Sequence, residues 1–385
     1  MKTLRCLLGL LISTIAAAPS FSARAAVINT LTGGVQTGTI AMGSLTQSVT
    51  ITSVNPLKAF VICRESASNG SQASDRVNCQ LNSATTLTVT IGVADANVIV
   101  RWHVVEFLSG VSVQRGLVTT ATFAAGVVTV NVTLPTAVNL TKAFPLMTAT
   151  TATTSRTVDE EVTPTAELTT GTNLRLTRNQ SGNPIAVAWQ VVQIESASVQ
   201  KGTLNMLQGS LTITAPLSPP VDVARTFLIF TANGGNNVNG VESRYRTTGV
   251  ITNSTTLTFT RAVNGGGGND VDISWFAVRM TDGTTVQRSS NTTASAATTT
   301  MNAAISAVVT NRSVPFISMR GAAGRTSNND FDDTSWVAAL TSTTNLQMTK
   351  SATASNASNA TVAWEVVQFA NAPNLIDGDG REVFP

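Results

Sequence analysis

The chain has 385 residues, 42% of them hydrophobic, 12% charged and 5% aromatic, with a formal net charge of +3. It can bury several cores but carries half the usual supply of charge, which argues against both disorder and a coiled coil. One histidine, one tyrosine and three cysteines leave few reagents for acid–base, metal or thiol chemistry, so an enzyme is not expected.

Residues 1–25 read as a secretory signal peptide: a basic start (Lys2, Arg5), an apolar run from Cys6 to Ala18, and Ala23-Arg24-Ala25 as the small-residue cleavage site. No later stretch approaches the roughly 20 apolar residues that a spanning helix requires, so no membrane span is expected. Loss of Lys2, Arg5 and Arg24 leaves 21 basic against 21 acidic residues. The exported chain is therefore neutral, and its charge gives no argument for nucleic acid. Secretion or display at the cell surface follows, with the periplasm as an open alternative.

After the leader, one unit repeats four times, expected over 26–110, 111–196, 197–283 and 284–370. Each copy opens with a strand of the form Val-Gln-x-Gly: Val35-Gln-Thr-Gly38, Val113-Gln-Arg-Gly116, Val199-Gln-Lys-Gly202 and Val286-Gln-Arg-Ser289. A basic residue ahead of an aromatic follows, in Lys58/Phe60, Lys142/Phe144, Arg225/Phe227 and, with an insertion, Arg312/Phe316. Next comes an acidic loop: Asp75, then Asp159, Glu160 and Glu161, then Glu242, then Asp330, Asp332 and Asp333. An alternating strand (Leu87/Val89, Leu174/Leu176, Leu257/Phe259, Leu346/Met348) precedes a strand with one tryptophan: Trp102, Trp189, Trp275 or Trp364. Short period-two strands between polar turns predict an all-β chain of four tandem antiparallel β-sandwiches.

The tryptophans have Val, Ile or Ala two residues away on either side, so they are expected in the core. Positions three and five residues beyond each tryptophan are apolar too, which requires either a bulge or a strand end packed on a neighbouring unit. His103 follows Trp102 where other copies carry Gln190, Phe276 and Glu365, and is expected to be semi-exposed. Tyr245 and Trp336 are the leading candidates for exposed aromatics.

Cys63 aligns with Met147, Phe230 and Met319, and Cys79 with Ala166, Gly249 and Ala338. A large residue facing a small one in three copies suits two touching core positions, so a disulfide is expected between Cys63 and Cys79 in an exported chain. The acidic loops have matching basic residues in Arg115, Lys201 and Arg288. These charges could bridge units, or the carboxylates could take Ca²⁺ or a sugar hydroxyl, but solvated loops that guard sheet edges are the simpler reading. The acid spacing matches no EF-hand loop, and no metal or cofactor is expected.

Residues 371–385 form a tail. Leu375-Ile-Asp-Gly378 lies eleven residues after Trp364, the offset of Val113 after Trp102, as if a further unit began there. It should cap the fourth unit, or serve as a spare strand for another molecule, depending on which unit the Val-Gln strand joins.

Through Val-Gln-x-Gly and the single-tryptophan strand, the unit resembles H-type lectin domains. That resemblance implies a six-stranded antiparallel sandwich, trimerisation and sugar binding through polar loop side chains, with no sugar-contacting position carried over. In style the chain also looks like repeat-bearing surface or pilus-associated proteins of bacteria. The leading expectation is a non-enzymatic secreted or cell-surface rod that associates with itself or with other surface components in adhesion, matrix or fibres. The alternative is a multivalent carbohydrate-binding module directed at glycans.

Overall fold

The computed structural model describes residues 27–28, 34–66, 73–154, 159–234, 244–264, 270–295, 297–321, 335–351, 359–370, 375–376 and 382–383; the leader lies outside them. Among these residues the chain is all-β with a few short 3-10 turns, and no helix is long and apolar enough to cross a membrane. Six strands recur in each of four units. In chain order they are a motif strand, an outer strand, an axial strand, a joint strand, a leucine strand and a tryptophan strand.

In the first unit these are Val35–Met42, Thr46–Thr50, Ala59–Ser66, Val77–Ser83, Thr86–Ile91 and Asp95–Ser109. The second has Val111–Val118, Thr129–Thr133, Ala143–Thr150, Thr165–Thr170, Asn173–Thr177 and Ala186–Ile194. The third has Ala197–Met206, Thr212–Pro216, Thr226–Gly234, Thr247–Asn253, Thr256–Arg261 and Val271–Met280. The fourth has Thr285–Thr292, Thr300–Ala304, Ser313–Arg320, Val337–Ser342, Asn345–Thr349 and Thr361–Gln368. The tryptophan strand runs between the motif and axial strands in one antiparallel sheet; the leucine strand runs between the outer and joint strands in the other. In the first unit Val27–Ile28 also pairs with the far end of the tryptophan strand.

Each letter of Val-Gln-x-Gly has a physical cause. The valine lies opposite the residue three beyond the tryptophan, in the pairs Val35–Val105, Val113–Val192, Val199–Val278 and Val286–Val367. The glutamine amide clamps the loop after the outer strand with two bonds of 2.7–2.9 Å: Gln36 to Thr52, Gln114 to Thr136, Gln200 to Ser218 and Pro219, Gln287 to Ser306. The glycine sits directly opposite the tryptophan, where a Cβ would come 2.7 Å from the indole at Gly116 and Gly202 and closer still at Gly38. Ser289 opposite Trp364 is the exception. The two motifs keep one period because one side chain fills the space that the other leaves.

The apolar residues on both faces of the tryptophan strand are explained by two cores. Val100, Trp102 and Val104 point into their own sandwich with Leu87 and Val89 of the facing sheet. Val105 and Phe107 lie on the opposite face, in a cluster that also holds Val192 and Ile194, Val278 and Met280, and Val367 and Phe369 of the other units. Register through this half of the strand is continuous, so alternation accounts for the pattern without a bulge. The polar residue four beyond the tryptophan falls at the sandwich rim, where Glu106, Gln193 and Gln368 accept the backbone N–H of Asn55, Asn139 and Val309.

The disulfide joins Cys63 on the axial strand to Cys79 on the joint strand, with Cα atoms 6.3 Å apart. Elsewhere a large residue meets a small one at this place, as where a Cβ on Gly249 would lie 2.5 Å from Phe230. The fourth unit corrects the sequence alignment by two residues. Ile317, not Met319, lies opposite Trp364, and Val314, not Phe316, holds the place of Phe60, Phe144 and Phe227. No insertion is present there.

The units close on one another instead of extending as a rod. The axial and tryptophan strands of each unit cover the joint strand of the unit before it, and those of the first unit cover the joint strand of the fourth. A head-to-tail contact repeated four times with closure gives a ring around a pseudo-fourfold axis. The motif strand pairs with the tryptophan strand that follows it. The tail's described residues pair together, Leu375 with Val383 and Ile376 with Glu382.

Gly116→Val should lower unfolding stability by about 1–3 kcal/mol through overpacking against Trp189, whereas Ser289→Gly should leave it nearly unchanged; chemical denaturation distinguishes the two. Replacing the disulfide by the second unit's pair, Cys63→Met with Cys79→Ala, should keep the fold. Denaturant titration should register a loss of about 3 kcal/mol, the loop-entropy value for a closure of this length.

Candidate functional site

The polar chemistry of the chain is concentrated where units meet and along the axis they enclose. The core-facing residue of each joint strand has its backbone N–H turned outward, and the next unit supplies a hydroxyl for it. Thr148 accepts from Cys79 at 3.0 Å, Thr231 from Ala166 at 3.0 Å and Ser318 from Gly249 at 3.1 Å. The fourth joint differs, because Arg64 of the first unit holds the hydroxyl's place and donates to the Ile317 carbonyl at 3.1 Å. Ser66 and Ser351 also bond across that joint.

A second set of contacts comes from the residue after each tryptophan. Gln190 accepts from the Val61 N–H at 2.9 Å and donates to its carbonyl at 2.8 Å. Glu365 accepts from the Leu228 N–H at 2.7 Å. The matching positions on the other two axial strands are Pro145 and Pro315, which have no N–H, and the units that cover them carry Phe276 and His103 after the tryptophan. Acceptors thus meet donors, and prolines fall where no acceptor waits.

His103 is buried and lies 3.3 Å from the Ala338 carbonyl. A carbonyl only accepts, so the neutral ring carries its proton on Nε2. Burial, aided by the charge of Arg101, lowers the His103 pKa to about 3 against the pull of that carbonyl. Burial raises the Glu365 pKa, while Arg288 at 3.0 Å and the Leu228 N–H oppose the shift.

Alternate positions of the axial strands, starting from the second residue, form layers around the axis. Phe60, Phe144, Phe227 and Val314 make a fully buried layer. Rings meet across units here, with Phe144 5.8 Å from Phe227 and Phe60 6.4 Å from Phe369. Ile62, Leu146, Ile229 and Phe316 form the next layer, and Arg64, Thr148, Thr231 and Ser318 the one beyond. These layers border a cavity of about 260 Å³ with walls from all four units.

The cavity is amphipathic. Against the apolar layer stand the guanidiniums of Arg64, Arg76, Arg101, Arg246 and Arg288, with the carboxylates of Glu65 and Glu365. Arg288 pairs with Glu365, and Arg76 lies 3.8 Å from Glu65 and reaches the Tyr245 hydroxyl of the third unit. Arg64 and Arg101 are directly opposite across two strands, an arrangement of like charges that costs stability. Arg64 is exposed, and it lines the cavity. Desolvation, with Arg246 and Arg76 adding to it against Glu65, lowers its pKa.

The expected site residues fall into distinct places. Trp102, Trp189, Trp275 and Trp364 are buried at the four sandwich centres. The basic residues of the motif strands reach back to the preceding unit: Arg115 donates to the Ala59 carbonyl, Lys201 to Leu168, and Arg288 to Val223 and Thr226. Burial lowers the Arg115 pKa to about 10 and also lowers that of Lys201. Asp75 is buried in a 3-10 turn. Glu161 accepts from the Asn183 side chain and backbone. The backbone of Asp159 and Glu160 shares that turn, while Glu242, Asp330, Asp332 and Asp333 lie outside the described residues. Among the described residues no three His, Cys, Asp or Glu side chains converge on a metal-sized point.

Three expectations are corrected. His103 is buried, because the next sheet face is a joint and not a solvent face. Tyr245 and Trp336 are also buried, at 1% and 0% exposure, Tyr245 against the cavity and Trp336 under Lys350. Sequence reasoning missed four of the cavity arginines: Arg64 and Arg101 lack a basic counterpart in the other copies, and Arg76 and Arg246 hold equivalent positions three residues before Cys79 and Gly249. It also missed Arg178 and Arg261, both 1% exposed, at the end of the leucine strand, where each guanidinium donates to four backbone carbonyls. The signal existed, since Leu-x-Leu-Thr-Arg178, Leu-x-Phe-Thr-Arg261 and Leu-x-Met-Thr-Lys350 repeat in phase. Comparison with known protein families and with curated proteins finds no match to this chain.

The His103 shift carries a pH signature. Its folded pKa is depressed, so the unfolded chain takes up a proton first as pH falls through 6.5, and stability present above that pH is lost progressively toward pH 3. Between pH 6.5 and 5 the loss should be about 1–2 kcal/mol at 1.4 kcal/mol per unit. His103→Gln, which can still donate to Ala338, should flatten that window in urea titrations.

Proposed function

We propose that the protein is an exported, non-enzymatic structural or adhesive component, displayed at a surface or in a matrix, whose four sandwiches fold into one rigid block. The observation that carries this reading is the use made of its reactive side chains. The single histidine, Arg288, Glu365 and Arg115 are spent on bonds between units. Such bonds stiffen the block and occupy these side chains with structural partners. The tail, whose described residues belong to none of the sandwich sheets, supplies a segment for association with other copies or other surface components. Light scattering over a concentration series, with residues 26–385 and with 26–370, tests the proposal. Assembly that grows with concentration and weakens without the tail supports it; a monomer that neither assembles nor attaches to cells rejects it.

A second reading is a glycan-binding module. It draws on the number of strands per unit, six in two sheets of three, which is the arrangement implied by the resemblance to H-type lectins. Saturable binding on a glycan array by the intact protein would favour it over the structural role.

A further inference from the structure

The axial cavity has the composition of a ligand site rather than of a packing defect. Its walls are apolar at the level of Ile62, Leu146, Ile229 and Phe316, and its volume of about 260 Å³ equals on the order of nine waters at about 30 Å³ each. Among its described lining residues the charged groups are predominantly basic, five arginines against two glutamates. Apolar walls with a small number of converging charged donors are the general form of small-molecule sites.

Arg64 is the centre of the argument. Among the described residues its guanidinium makes one hydrogen bond, from Nη2 to the Ile317 carbonyl, out of five donors. It faces the cavity, directly opposite Arg101 and within electrostatic reach of Arg76 and Arg246. The equivalent residues in the other units are Thr148, Thr231 and Ser318, so the joint itself does not require a cation there. Gathering arginines side by side costs free energy that an anion would return, and a carboxylate matches the planar guanidinium fork.

We propose that the axial cavity binds one amphipathic organic anion, its carboxylate on Arg64 with Arg246 and Arg76 beside it, and its apolar body against Ile62, Leu146, Ile229 and Phe316. The site goes beyond the structural role above, because it needs neither assembly nor attachment. The end away from the arginines is closed by the phenylalanine layer.

Isothermal titration of the intact protein with octanoate tests the site, with 1-octanol, octyltrimethylammonium and sodium sulfate as controls. One molecule of octanoate per chain is expected, with octanol about tenfold or more weaker and no binding of the cation. Arg64→Thr copies the second and third units and should keep the melting temperature while weakening octanoate about tenfold or more. Ile229→Trp should block binding by filling the cavity without changing any charge. Absence of octanoate binding overturns the proposal, because the arginines would then be neutralised within the chain. So does sulfate binding as tightly as octanoate, which would make the apolar walls irrelevant, or octanoate binding unchanged by Arg64→Thr, which would place it elsewhere.

Discussion

The outward backbone N–H of the joint strand is the constraint on which the rest of the architecture depends. An open sheet edge invites uncontrolled pairing, and a buried N–H without an acceptor costs about 1–3 kcal/mol. Here each edge is covered by the axial and tryptophan strands of the next unit, and at three of the four joints a threonine or serine hydroxyl on that unit accepts the exposed proton. Once three such joints form with the same geometry, the rotation they impose brings the first unit onto the edge of the fourth, and the ring has no joint edge left to cover.

Closure explains why the copies are similar without being interchangeable. The motif glycine, the clamping glutamine and the tryptophan serve each sandwich internally, and they recur. Residues on the outer face of the tryptophan strand serve the joint, and they vary in matched pairs: Gln190 and Glu365 meet the N–H groups of Val61 and Leu228, while His103 and Phe276 face units with Pro315 and Pro145. Alternate joints are thus chemically alike, so the fourfold arrangement carries a twofold pattern of donors. A wrong pairing of units would leave a carboxylate or amide against proline, which gives the order of assembly a physical basis.

The axis is where this economy breaks down. Four axial strands can fill the centre with phenylalanine and valine at one level, but two residues further along the side chains diverge and leave a cavity. Only the first unit sets two arginines opposite one another there, Arg64 and Arg101, where the other copies carry Thr148 and Ala188, Thr231 and Ser274, and Ser318 and Ala363. That juxtaposition is a departure from the pattern of the other three copies, and departures of that kind in an otherwise consistent structure mark places kept for something other than stability.

Much of the sandwich was legible along the chain. Period-two alternation, the spacing of the tryptophans and the large-to-small exchange at Cys63 and Cys79 follow from contacts within one unit, and such contacts leave a regular trace because every copy must make them. The rest depended on which faces meet in space. That His103, Tyr245 and Trp336 are buried, that Arg115, Lys201 and Arg288 reach into the preceding unit, and that Arg64, Arg76 and Arg246 from the first and third units share one cavity are consequences of ring closure. The fourth unit's two-residue shift was hidden for the same reason: Phe316 and Met319 fit the apolar pattern as well as Val314 and Ile317 do, and only backbone register against Trp364 separates them. By itself the sequence determined the fold of the unit, because local alternation and one glycine–tryptophan contact suffice for it. The tertiary structure decided how four units meet, because that depends on hydrogen bonds between residues far apart in the chain whose side chains carry no periodic signal.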